Sequence, residues 1–141
     1  MKKIILTLLA GISFNSFAHD ERVVLGADVS EMKQIFITCE SEGDILQDKL
    51  YLRLTSNAPA NAPLISTQIA KGNFVTTVTD LVNNDGNPSR AAEITQGDGM
   101  YRITVSKNGN SSGVVDAALE IHCVSSVTGE HLPGGTLISY P

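Results

Sequence analysis

Residues 114–124 place an apolar side chain at every second position: Ala117, Leu119, Ile121 and Cys123 fall on one face, while Glu120 and His122 point the other way. A helix repeats every 3.6 residues and would scatter those positions around its circumference, so this run presents a continuous apolar face only as a β-strand. The same period of two recurs at residues 34–39, with Ile35, Ile37 and Cys39 aligned. It recurs again at residues 49–55, where Leu50, Leu52 and Leu54 oppose Lys49, Tyr51 and Arg53. Residues 74–80, 100–106 and 136–140 are further β-rich runs. Turn clusters separate them: Asn83-Asn84-Asp85-Gly86-Asn87-Pro88, Gly97-Asp98-Gly99, Lys107-Asn108-Gly109-Asn110 and Pro133-Gly134-Gly135. The Pro/Ala/Asn stretch at residues 56–63 is excluded from any central strand. Residues 43–47 have room for one helical turn, and nothing longer is amphipathic at helical spacing.

At 141 residues, with 42% hydrophobic and 18% charged positions, the chain holds one domain and enough apolar material for one core. The strand pattern predicts an all-β domain, an immunoglobulin-like β-sandwich of about seven short strands, over residues 19–141. The stretch Gly97-Asp98-Gly99-Met100-Tyr101-Arg102-Ile103-Thr104-Val105 resembles a late sandwich hairpin with Tyr101 turned inward. That is a likeness of architecture and implies no activity.

The first 18 residues read as a secretory signal. Lys2 and Lys3 form a positive start, residues 4–12 an apolar stretch, and Ser16-Phe17-Ala18 a small-x-small cleavage site. The apolar stretch is too short to span a membrane, and no Cys follows it to accept a lipid. Cleavage after Ala18 would make His19 the first residue and place the protein in the periplasm or outside the cell. Export gives the two cysteines a structural meaning. In an oxidising compartment, Cys39 and Cys123 in so small a domain are expected to form one disulfide, and the lack of a C-x-x-C pair argues against redox catalysis. The formal charge of −5 lacks the basic footprint of a nucleic-acid binder, and no membrane insertion is expected after cleavage.

Three patterns touch on chemistry. Gly109-Asn110-Ser111-Ser112-Gly113 matches G-x-S-x-G, but it is a polar turn running into a β pattern. Asp116 and His122 follow too closely on one strand to fold back on Ser111, so no hydrolase is expected. Residues 80–87 look like a calcium loop, yet Leu81 stands where that loop needs a ligand, and an Asn-Asp-Gly turn is the expected reading. The histidines offer a third. His19 as a new N-terminus would supply an amine and an imidazole, which resembles the histidine-brace copper proteins. That resemblance implies a Cu(II) site completed by His122 or His131.

The C-terminus, with Gly129, Thr136, Ile138, Tyr140 and Pro141, is similar to that of chaperone–usher pilus subunits. The likeness implies a structural subunit of a surface fibre with residues 22–29 as donor strand, although the cysteine spacing here is wider than in such subunits. No convergent catalytic set survives inspection, so a non-catalytic binding or accessory protein of the periplasm or cell surface is expected, with no resident cofactor. Its protein or small-molecule partner would meet loops at one end of the sandwich: Asn84, Asp85, Asn87 and Arg90 in one, Glu130 and His131 in another.

Overall fold

The computed structural model describes residues 19–131 and 136–140. The signal reading of residues 1–18 lies outside the described residues. Nine strands run through the rest: β1 (His19–Leu25), β2 (Met32–Cys39), β3 (Lys49–Ser56), β4 (Ile65–Lys71), β5 (Phe74–Thr79), β6 (Ala92–Thr95), β7 (Gly99–Lys107), β8 (Val115–Val124) and β9 (Thr136–Tyr140). They build two antiparallel sheets. One has the order β1-β8-β3-β6; in the other, β5-β4-β7-β2 is extended by β9 at the β2 edge.

The alternation seen in the sequence becomes burial. β3 and β8 alternate between inward and outward side chains along their whole length. Leu50, Leu52, Leu54, Leu119 and Ile121 of the first sheet meet Ile35, Ile37, Ile69, Ile103 and Val105 of the second in one core. Cys39 on β2 and Cys123 on β8 are bridged across that core, with Cα atoms 5.5 Å apart. The expected disulfide is therefore present, and the fold is a sandwich-like all-β domain.

The expectation of about seven strands is too low. β1, β4 and β6 go unnoticed by apolar alternation, each for a physical reason. β1 is an edge strand whose first residues are charged, and only Val23 and Leu25 reach the core. β4 buries the polar Thr67 between Ile65 and Ile69, which hides its inward face. β6 is four residues long. Residues 43–47 do not form a helical turn; Glu42 and Ile45 pair as an isolated β-bridge that closes a tight turn with Gly43 at φ 58°.

Two buried polar groups tie loops to this frame. The Lys107 ammonium, 7% exposed, donates to the carbonyls of Gly26 and Asp28 and so pins the β1–β2 connection. The Tyr101 hydroxyl donates to the carbonyls of Gly97 (2.8 Å) and Asp48 (3.2 Å), joining the β6–β7 turn to the start of β3. Burial pushes the Tyr101 phenol above its ordinary pKa. The Lys71 ammonium lies 4.2 Å from that ring's centre and is itself pushed down by burial.

Candidate functional site

The two loops expected to share one binding end lie at opposite ends of the sandwich. Residues 125–131 sit at the Lys49 end of β3. Asp48 accepts hydrogen bonds there from the Ser126 hydroxyl (2.5 Å) and N–H (2.8 Å), and the Glu130 carbonyl accepts one from Gln47 Nε2 (3.3 Å). Residues 80–90 sit at the Ser56 end, where Ser56 O accepts from Asn84 N–H (2.9 Å) and Leu54 O from Ser89 N–H (2.7 Å). An eight-residue strand separates them, about 26 Å at the rise of an extended chain.

At the first end the outer face of β8 and β3 carries a line of paired groups. Arg53 clamps one Glu120 oxygen from Nε (2.9 Å) and Nη2 (2.6 Å), and His122 Nε2 meets the other Glu120 oxygen at 3.0 Å. Burial pushes the Glu120 carboxyl up, but the hydrogen bonds and charges of Arg53 and His122 outweigh it and hold the group below its usual range. The turn closed by Ser125 O and Gly129 N–H brings His131 edge-on to His122, ring centres 5.2 Å apart, and the Tyr51 ring centre lies 6.0 Å from that of His122. His131 Nε2 is buried with no hydrogen-bond partner. His122 and His131, alternatives in the sequence reading, are thus neighbours. The β1–β8 register sets His19 opposite Ile121, and His122 belongs to the outward set of β8. Among the described residues, no group of three or more His, Cys, Asp or Glu is placed to hold a metal. The Glu130 carboxylate accepts from the Thr128 hydroxyl (3.2 Å) within its own turn.

The second end is concave. Thr77 and Thr79 of β5, with Leu81, Val82, Asp85, Asn87, Pro88 and Arg90 of the following loop, enclose a groove of about 520 Å³. A buried polar clamp holds its floor. Asp80 Oδ2 accepts the Ser56 N–H (2.7 Å), the Ser56 hydroxyl donates to Asn83 Oδ1 (2.6 Å), and Asn83 Nδ2 donates to Ala62 O (2.9 Å). These groups are at most 7% exposed, so the loop is anchored before any partner arrives. At the rim, Asp85 accepts the Asn87 N–H (2.8 Å) in an Asx turn, and hydrogen bonds from Asn87 hold its carboxyl below the usual range. Asn84, at φ 57°, makes the left-handed bend. The Arg90 side chain is exposed and no partner meets its guanidinium among the described residues.

Asp85, Asn87 and Arg90 were anticipated here, and the rest of the groove was not. The available signal was Leu81-Val82, two apolar residues inside a polar turn cluster, which remain 75% and 54% exposed. As for the G-x-S-x-G match, Asp116 is held by Arg22 (2.7 Å) and His122 by Glu120, and neither turns toward the 109–113 loop. Of residues 22–29, expected to act as a fibre donor strand, Arg22 to Leu25 are paired in the chain's own sheet with Ala118 to Val115.

No protein-family model, curated protein or solved structure matches the chain.

Proposed function

We propose that this chain is an exported, non-catalytic binding or accessory protein of the periplasm or cell surface, and that its partner docks in the groove between β5 and the loop at residues 80–90. The observation that carries the reading is the composition of that groove. Exposed Leu81 and Val82 supply apolar contact, the exposed Arg90 supplies a cation, and the Ser56–Asp80–Asn83 clamp holds them in place. The exposed aliphatics and a guanidinium without a partner among the described residues add little to stability, so contact with a partner is the use that their placement in one groove supports. The immunoglobulin-like reading of the sandwich belongs with this proposal, supported by the bridge between β2 and β8 and by the inward Tyr101.

The test is affinity capture from periplasmic extract with the wild-type protein and with a Leu81→Asp/Arg90→Glu variant. A partner held by the first and lost from the second is expected. The same captured set from both overturns the groove as the binding surface.

A second reading, Cu(II) binding, draws on the proximity of His122 and His131. Its test is Cu(II) titration of protein beginning at His19 against protein with one extra residue ahead of it. Equal affinity removes the amine from the site, and loss of affinity in a His131→Ala variant is expected if the pair contributes.

A further inference from the structure

The loop at residues 108–113 carries the chain from β7 in one sheet to β8 in the other. It is tied at both ends: Asn108 N–H donates to Leu64 O (2.7 Å) and Gly113 N–H to Ala27 O (3.2 Å). Residues 108–112 between those ties are exposed. Among the described residues, no hydrogen bond engages the Gly109 N–H or the side-chain amide of Asn108. Asn108 is also the one asparagine in the chain that glycine follows. That pairing has a chemistry of its own. The main-chain nitrogen after an asparagine can reach the side-chain carbonyl carbon and close a five-membered ring, and a side chain on the following residue crowds that approach. Gly109 has no Cβ, and apart from its chain neighbours no atom lies within 4 Å of where one would stand.

We propose that Asn108 is a site of spontaneous covalent modification, at which the folded protein converts its own asparagine to aspartate and isoaspartate. The Gly109 nitrogen loses its proton to solvent base and bonds to Asn108 Cγ. The Cγ–Nδ2 bond breaks, ammonia leaves with a proton from water, and a succinimide ring remains. Water then opens the ring. Attack at Cγ gives aspartate; attack at the main-chain carbonyl carbon gives isoaspartate, whose chain runs on through the side chain. One water is consumed and one ammonia released, with no change of oxidation state. Other candidate positions are held. Asp85 and Asp98 also precede glycines, but Asp85 accepts from Asn87 N–H (2.8 Å) and Nδ2 (3.1 Å), and Asp98 from the Ser41 hydroxyl (2.6 Å) and N–H (3.0 Å). Those bonds keep both carboxyls ionised, and a carboxylate resists a nucleophile where a neutral amide does not. The Asn83 amide is occupied by Ser56 and Ala62, and Asn87 precedes a proline, which has no N–H to attack with. The product adds a negative charge at the end of the sandwich that holds the groove. Ile65 of β4 lies between Lys107 and Asp80, so position 108 stands about two strand spacings, ~10 Å, from the groove floor.

Peptide mapping by mass spectrometry tests this on the full, disulfide-bonded protein incubated in mildly alkaline buffer. A synthetic peptide of residues 105–112 sets the rate of the unconstrained sequence. The mass gain of an amide-to-acid change is expected first at Asn108, with isoaspartate in the product, at a rate within about tenfold of the peptide's. The rate is expected to rise with pH, because the attacking nitrogen must first lose its proton. Asn108→Gln would have to close a six-membered ring and is expected to react at least about tenfold more slowly. The Asn108 side chain is exposed, and unchanged circular dichroism is the check that the variant folds. A folded protein protected more than about tenfold relative to the peptide overturns the proposal. So does a first modification at another asparagine, or an Asn108→Gln variant that gains the same mass at the wild-type rate.

Discussion

Asn83 shows how a residue in a turn-forming stretch can act as a core residue. Its side chain accepts the Ser56 hydroxyl and donates to Ala62 O while 7% exposed, so it links the end of β3, the Pro-rich connection and the groove loop. Asn83→Ala leaves the buried Ser56 hydroxyl without its acceptor and the Ala62 carbonyl without its donor, at a cost of about 2 kcal/mol. Urea unfolding is expected to show a lower midpoint at unchanged slope, because the change removes stability without altering the surface exposed on unfolding. Neighbouring Asn84 is exposed and its side chain holds no group in place among the described residues; Asn84→Gly is expected to be neutral or slightly stabilising, since glycine adopts φ 57° more readily.

At the level of elements, β2 and β8 are central strands of opposite sheets, and the disulfide joins them across 84 positions of sequence. A cross-link of that span removes much of the freedom of the unfolded chain, and the chain-entropy relation assigns it about 4–5 kcal/mol. The Cys39→Ala/Cys123→Ala variant is expected to lose most of this, and chemical denaturation with and without reductant measures it. Both cysteines are buried, so reductant is expected to act at the rate of local opening rather than on contact. The β4–β5 hairpin is held differently: its two-residue turn, Gly72-Asn73, has Gly72 at φ 57°, a conformation that keeps the strands twisted in step. Gly72→Ala meets no steric neighbour, so its penalty of about 1 kcal/mol comes from the backbone alone.

For the molecule as a whole, acid sensitivity follows from where its carboxylates sit. Hydrogen bonds from Ser126 hold the Asp48 carboxyl below its usual range, those from Ser41 do the same for Asp98, and the Arg22 guanidinium does so for Asp116. Each folded-state pKa is therefore below the unfolded value of about 3.9. Protonation is easier in the unfolded chain, so their stabilisation is complete above that value and is lost as pH falls through the lowered pKa values. Thermal unfolding is expected to give a level stability from about pH 5 to 7 and a decline below about pH 4, shallower in an Asp48→Asn variant. Asp48 also joins two connections, residues 125–131 and the β6–β7 turn, through its carboxylate and its carbonyl, so its protonation loosens one end of the sandwich first.

Strand identity in β2, β3, β5, β7, β8 and β9 was legible in the sequence, because a half-buried strand must alternate and Leu50, Leu52, Leu54 and Ile35, Ile37, Cys39 do so without interruption. The same periodicity set both cysteines on apolar faces, which made their pairing a consequence of the fold once the compartment was assumed. β1, β4 and β6 were not legible, since an edge position, a buried threonine and a four-residue length each weaken the pattern locally. The candidate groove was legible in part: Asp85 and Asn87 stand in a recognisable turn cluster, with Arg90 two residues beyond it. Its wall of Thr77 and Thr79 was not, because which edge of β5 stays open depends on β4 lying on the other side. The sequence could not place residues 80–90 and 125–131 relative to each other, either. Turn chemistry is local and identifies loops, but the end of the sandwich on which a loop emerges depends on the direction and order of strands distant in sequence, and long-range pairing alone decides that.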